Sequence, residues 1–290
     1  MARRRKTRER KSLRQQIQER KGIALVYFIL RLLVVFSMIH SLLDREYESF
    51  FLCILTLILF TVPTMLERRM RIDIPDTLEI IILLFIYAAE ILGEIRSFYI
   101  YFPNWDTVLH TLNGFLAAAI GFALVDILNE EESISMRLSP VTMAIVAFCF
   151  SMTIGVVWEF FEFGMDYFFS LDMQKDTILQ AIHSVDIAPG ITTIPASIHG
   201  ITDTIVVSGS TQQALGLGGY LDIGLFDTME DLLVNFIGAT VFSILGYFYV
   251  KARGEGRFKR IKGLLPTKVR QTLHLDDEDE TTPSEEDITP

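Results

Sequence analysis

Six apolar runs, joined by polar turns, set what this chain can be: Ile23–Ile39, Phe50–Leu66, Leu78–Ile95, Val108–Leu128, Val141–Phe169 and one within Asp227–Val250. Crossing a hydrocarbon core about 30 Å thick takes roughly 20 residues of α-helix. Runs of this length and number exclude a soluble α/β domain, which the 50% hydrophobic content alone would have permitted. They define an all-α integral membrane protein, a bundle of about six transmembrane helices. The first two runs are the shortest, so five or seven spans are the neighbouring readings.

Charge gives the bundle a direction. The formal net charge of −10 is an average over segregated signs. Ten Lys/Arg lie within Met1–Lys21 and eight within Lys251–Arg270. Six spans place both segments on one side, together with Arg68, Arg69, Arg71 and Arg137; Arg45, Arg96 and Lys175 fall opposite, and Arg31 lies inside the first span. Positive loops stay cytoplasmic, so both termini are expected inside a plasma or inner membrane. No small-x-small cleavage pattern follows the first run, which reads as an uncleaved anchor. The basic arm suits anionic lipid rather than nucleic acid. Cys53 and Cys149 both sit in apolar runs, so neither a disulfide scaffold nor a thiolate metal site is expected.

The chain divides into a basic cytoplasmic arm at Met1–Lys21, a transmembrane domain at Gly22–Gly254 and a cytoplasmic tail at Glu255–Pro290. The tail is acidic from about Asp276 and expected to be disordered there. The one long connection, Ser170–Phe226, falls on the outer side between the last two spans. It carries strand-like pieces such as Asp203-Thr-Ile-Val-Val207, and reads as a cap because it leads straight into Asp227.

Three separated motifs carry the chemistry: Trp105-Asp106-x-x-x-His110-x-x-x-Gly114, Trp158-Glu159-x-x-Glu162-x-x-x-Asp166 and Asp227-x-x-x-Asp231-x-x-x-Asn235-x-x-Gly238. Spacings of three and four residues align each polar set along one side of a helix. Orientation brings all three, with Glu90 and Glu94, to the same outer level; Glu159, for example, lies about 27 Å along its helix from Val141. Ionisable groups at such positions are costly and mark functional sites by default. Several carboxylates with one histidine cannot cheaply ionise together, so either some carry protons or a cation sits among them. Oxygen-rich ligands with a single imidazole suit Mg²⁺, Mn²⁺ or Ca²⁺, with Zn²⁺ a further candidate. The competing reading of Asp106 and Asp227 is simple helix capping; it does not extend to Glu159, Asp231 and Asn235, which lie inside apolar runs. Arg31, midway along the first span, calls for an ion pair, with Glu90 the expected partner and phosphate binding the lesser alternative. His183 and His199 read as surface residues, and Gly114, Gly238 and Gly246 as points of close helix packing.

At these residues the chain resembles a family of uncharacterised bacterial inner-membrane proteins typified by YjdF. The likeness rests on the Trp-Asp-x-x-x-His-x-x-x-Gly, Trp-Glu-x-x-Glu and Asp-x-x-x-Asp-x-x-x-Asn-x-x-Gly-Ala segments in that order, over roughly Leu78 to Val250. A more distant similarity is to VanZ-like membrane proteins linked to glycopeptide resistance. They show a comparable acidic and histidine helix set, but Glu162 occupies their usual Gln position and their Arg element is missing. Neither resemblance supplies an established reaction.

Three functions compete. The first is a metal-assisted enzyme acting on an outer-leaflet lipid or envelope precursor. Asp106, His110, Glu159 and Asp231 would hold the cation, Glu162 or Asp227 would act as general base, and Asn235, Asp166, Glu90 and Arg31 would support them. The second is a cation- or proton-coupled carrier or flippase, which usually binds near the midplane on repeated halves not seen here. The third is a structural or sensory membrane protein.

Overall fold

The computed structural model describes residues 20–70, 72–129, 138–252 and 264–268. The basic arm up to residue 19 and the acidic tail from Asp276 lie outside the described residues. Helices dominate, in the order α1 (Lys21–Leu43), α2 (Tyr47–Leu59), α3 (Val62–Met70), α4 (Asp76–Tyr87), a π-helix (Ala88–Ile95), the short α5 (Phe98–Tyr101), α6 (Trp105–Asn129), α7 (Pro140–Phe169) and α8 (Leu225–Lys251).

Five helical segments are long and apolar enough to cross a membrane: Lys21–Leu43, Tyr47–Arg69, Trp105–Asn129, Pro140–Phe169 and Leu225–Lys251. The expected third span is helical as well, but it divides into α4 and the π-helix. The second span bends at Phe60-Thr61, just before Pro63, where the Thr61 amide bonds back to Ile58. A proline cannot donate to the preceding turn, so a break one turn ahead of it is the expected outcome. Local chemistry sets other ends. Ser139 caps α7, its hydroxyl accepting from the Thr142 amide at 3.2 Å, with Pro140 in the first turn.

The helices form two groups. In the first, α6 packs against both α7 and α8, which also pack against each other. Its core contains Ala118, Ala119, Phe122, Ala123, Met143, Ala147, Ala239 and Phe242. Small residues permit this closeness: a Cβ at Gly114 would collide with the Asn235 carbonyl, and one at Gly238 with that of Thr111. The second group joins α1, α2, α4 and the π-helix around Leu30, Val34, Cys53, Phe60, Leu83 and Ile91. Ile72, Ile74, Leu78 and Leu116 connect the groups.

Away from these cores the helices present apolar side chains outward: Phe28, Phe36 and Leu43 on α1, Val157 and Phe160 on α7, Leu233 and Ile244 on α8. So much exposed apolar surface on the long helices around the largely buried α6 is a lipid-facing belt, not the isolated patch of a soluble protein. The bilayer is therefore the solvent of this bundle.

Its two ends differ. At the basic end, Arg20 fastens three segments. Its guanidinium pairs with Asp76 at 2.5 Å, Glu79 at 3.3 Å and Glu67 at 3.4 Å, and donates to the Ile74 carbonyl at 2.7 Å. Beside it β1 (Ile72–Asp73) pairs antiparallel with β8 (Thr267–Lys268), and Leu265 enters the α6–α8 core. At the opposite end, the connection from α7 to α8 folds into three antiparallel two-stranded ladders. β2 (Ile178–Leu179) pairs with β7 (Tyr220–Leu221) at the base. Beyond it, β3 (Ala181–Ser184) pairs with β4 (Ala196–His199), and β5 (Ile205–Ser208) with β6 (Thr211–Ala214). The β-branched stretch read as strand-like is thus β5, closed by a tight turn in which Gly209 adopts φ 60°.

Candidate functional site

The site lies at the loop end, where α6, α7 and α8 begin or finish. Trp105 opens α6, held by an edge contact to Phe98 at 5.0 Å and by its indole donating to the Ala88 carbonyl at 3.3 Å. That anchor fixes the rotation of the first turns of α6, which carry Asp106 and, one turn on, His110. Glu159 and Glu162 come from α7, and Asp227 and Asp231 from α8. One helix turn brings residues four apart onto the same face, so each motif delivers its acids to a common side.

The three faces meet. His110 Nε2 lies 3.4 Å from Asp106 Oδ1 and 3.7 Å from Asp231 Oδ2, while His110 Nδ1 lies 3.9 Å from Glu159 Oε1. These separations exceed hydrogen-bond length. Asp106, His110 and Asp231 each offer a donor atom within 4.8 Å of the others, and so do Glu159, Glu162 and Asp231. Asp231 belongs to both sets. Donors about 2.0–2.6 Å from one ion stand no further apart than about twice that distance, so each set is compatible with a cation between its members. His110, Glu159, Glu162 and Asp231 are all buried, and Glu159 Oε2 and Asp231 Oδ2 have no hydrogen-bond partner among the described residues. An ionised carboxylate oxygen buried in this way is expensive unless something positive meets it.

A small cleft opens beside the acids, lined by Glu94, Tyr99, Asp106, Glu162, Met173, Lys175, Asp227 and Asp231. Its space of about 10 Å³ is close to that of a single water-sized sphere. It suits an ion or a water and excludes a headgroup. Lys175, from the loop, places a positive charge here, its ammonium 3.4 Å from Glu94 Oε2 and bonded to the Asp172 carbonyl. Tyr99 lies outside the long helices, and burial, followed by the charges of Asp106 and Glu94, raises its phenol well above the ordinary value. It therefore stays a neutral hydroxyl beside the acids.

The supporting residues divide. Asn235, fully buried, receives a bond from the Asn113 amide at 3.0 Å and directs its own amide at Met152 Sδ, 3.6 Å away. It ties α6, α7 and α8 together just beneath the acids. Asp166 accepts from the amides of Met173 and Gln174 at 2.6 and 2.8 Å, and Asp227 from that of Lys175 at 2.7 Å. Both anchor the start of the loop, and Asp227 also faces the cleft. Glu162 accepts from the Trp158 indole at 2.7 Å. Glu90, in the π-helix, is buried, and its Oε2 has no partner among the described residues. The ion pair expected between Arg31 and Glu90 does not form among the described residues: Arg31 instead lies over the Tyr27 ring, 4.9 Å from its centre, away from the cleft. His183 and His199 face each other across β3 and β4, exposed as expected.

Sequence reasoning missed Tyr99, Met173 and Lys175 as members of the site. Their only signals were weak ones: Lys175 as a rare basic residue on the outer side, and Tyr99 in the aromatic run before Trp105.

Fold and site together define a polytopic membrane protein with an acid and histidine cleft at one end of its bundle. The chain belongs to the family described as "Predicted membrane protein (DUF2238)", whose model matches residues 23–252. The match is consistent with the YjdF-like resemblance and extends it through the first two spans; it does not show the VanZ-like similarity. No curated protein and no solved structure matches the chain.

Proposed function

We propose that this protein is a metal-assisted membrane enzyme acting on a lipid or envelope precursor at the loop end of the bundle, taken as the outer leaflet. The observation that carries the reading is Asp231, shared by two donor sets that are buried except for the half-buried Asp106, and holding an oxygen with no partner among the described residues. A divalent cation held by Asp106, His110, Glu159 and Asp231 answers the burial of these acids. Such a cation supplies Lewis-acid polarisation of a carbonyl or phosphoryl oxygen and eases deprotonation of a bound water. Glu162 and Asp227, beside the donors and facing the same cleft, support proton transfer. Lys175 supplies a positive charge at the mouth for an anionic substrate. Because the cleft holds no more than an ion or a water, the substrate's reacting group enters only when Met173 and Lys175 shift aside.

The test combines binding with turnover. The purified chain in detergent is melted with and without Mg²⁺, Mn²⁺, Ca²⁺ or Zn²⁺, then incubated with envelope lipid extract and followed by lipid mass spectrometry. One metal should raise the midpoint, with a stabilisation of about 2.7 kcal/mol at a hundredfold excess over Kd. Asp231→Asn, which keeps shape and removes charge, should abolish that gain. The same metal should produce a new lipid species with wild type only. A midpoint unmoved by every metal and by chelator defeats the metal reading. A metal-stabilised protein that converts no lipid favours a cation carrier.

A further inference from the structure

A second cluster of charge sits far from the acid cleft, on the lipid-facing seam between the first two spans. Arg31 stands ten residues into α1, roughly 15 Å along the helix from Lys21. It is exposed, with Phe28 and Leu32 exposed beside it. Among the described residues its guanidinium has the Tyr27 ring and no carboxylate partner. Tyr27 is one turn nearer the basic end, so the side chain is directed that way, as an arginine in hydrocarbon must be to find a polar counterpart.

That direction leads into a groove of about 550 Å³ lined by Arg31, Thr61, Thr64, Met65, Arg68 and Arg69. Its size falls in the range of about 300–1,000 Å³ typical of small-ligand pockets. Three arginines and two threonines line it, with no acid among the described residues. The acid within the same stretch, Glu67, is turned away, accepting from the Ile74 amide at 3.1 Å and pairing with Arg20 at 3.4 Å. The bend at Phe60-Thr61 brings Thr61 and Thr64 to the groove, and Thr64 meets the Tyr27 hydroxyl at 3.5 Å. The Thr61 hydroxyl is spent on the Ile58 carbonyl at 2.7 Å, so the planar guanidiniums are the groups that match the oxygens of a phosphate. The groove opens toward lipid at the basic end, where a phospholipid presents that group.

We propose that this groove binds the phosphate of an anionic phospholipid, which thereby neutralises Arg31 within the bilayer. The full chain, purified in neutral detergent, is titrated with phosphatidylglycerol, phosphatidylcholine or sodium phosphate. Binding is read by native mass spectrometry and by the unfolding midpoint. Phosphatidylglycerol should bind saturably at a concentration at least tenfold below that of phosphatidylcholine, and sodium phosphate should not displace it. Arg31→Gln should weaken phosphatidylglycerol by about tenfold, the scale of one charge-assisted contact, and Arg31→Lys should recover part of the loss. The basic arm is intact in every variant, so attraction of lipid to that arm cancels in the comparison. Should Arg31→Gln fail to fold, the double variant Arg68→Gln/Arg69→Gln, at exposed positions, decides instead. Wild-type affinity in whichever variants fold, equal binding of the two lipids, or displacement by sodium phosphate overturns the proposal.

Discussion

Glu79 and Asp231 are both buried carboxylates, with opposite outcomes. Glu79, only 3% exposed, receives Arg20 and the Tyr27 hydroxyl, the latter at 3.0 Å. Asp231, equally buried, keeps an oxygen without a partner among the described residues. Arg20→Ala should therefore destabilise by about 1–3 kcal/mol, the cost of stranding a buried polar group. Adding Glu79→Gln should recover part of it in thermal unfolding. Tyr99 gives a pH dependence. Its folded value lies above the unfolded one because burial disfavours the phenolate. Its contribution is complete below about pH 10 and is lost as pH rises through the raised folded value. Tyr99→Phe should flatten the fall in melting midpoint over that alkaline range; an unchanged slope would refute the assignment. The convergence of His110, Glu159 and Asp231 was legible in the sequence, since spacings of three and four fix a helix face and charge bias fixes its depth. Lys175 and Tyr99 were not, because loop contacts leave no periodic trace; Asn113, three residues past His110, lies on the same periodic face and was passed over. The Arg31–Glu90 pair was misassigned because nothing in the periodicity of two separate spans says which way an isolated side chain turns; Arg31 turns toward Tyr27.

At the scale of elements, the α6–α8 contact depends on missing side chains. A Cβ at Gly238 meets the backbone at Thr111 and Phe115, which cannot swing away, whereas one at Gly164 meets nothing within 4 Å. Gly238→Ala should cost about 1–3 kcal/mol through overpacking. Gly164→Ala should be neutral or stabilise by about 0.5–1 kcal/mol, as alanine does within a helix. Melting the two variants side by side tests this, and equal effects would deny the close crossing. Six helical runs were readable from apolar length alone. The π-helix at Ala88–Ile95 was not, because Ala-Ala-Glu-Ile-Leu-Gly-Glu-Ile contains no proline and its single glycine, Gly93, is tolerated within an ordinary helix. Its wider winding buries Glu90 and brings Glu94 to the cleft. The bend in the second span did carry a signal, in Pro63.

For the whole molecule, Arg20, Glu67, Asp76 and the β1–β8 ladder group at one end, and the acid cleft and the long connection lie at the other. With Cys53 and Cys149 replaced, a cysteine at Ser210 should react with an impermeant reagent on intact cells. Labelling only after the cells are opened would reverse the orientation. The long connection itself was expected to cap the site, and its start lines the cleft with Met173 and Lys175. The strands β5 and β6, by contrast, are exposed on both faces. The β2–β7 ladder separates these two behaviours. By pairing Ile178 with Leu221 it closes the connection at its root, leaving short tethers to α7 and α8 and an appendage beyond. Once a root is closed, the entropy of the remaining chain grows only logarithmically with its length, and none of that cost falls on the helices. The two distal hairpins are thus free to be shortened, lengthened or exchanged as a cassette. Joining Gln180 to Gly219 by a brief Gly/Ser turn should leave the metal-dependent melting shift intact, whereas disrupting the root with Ile178→Pro should abolish it.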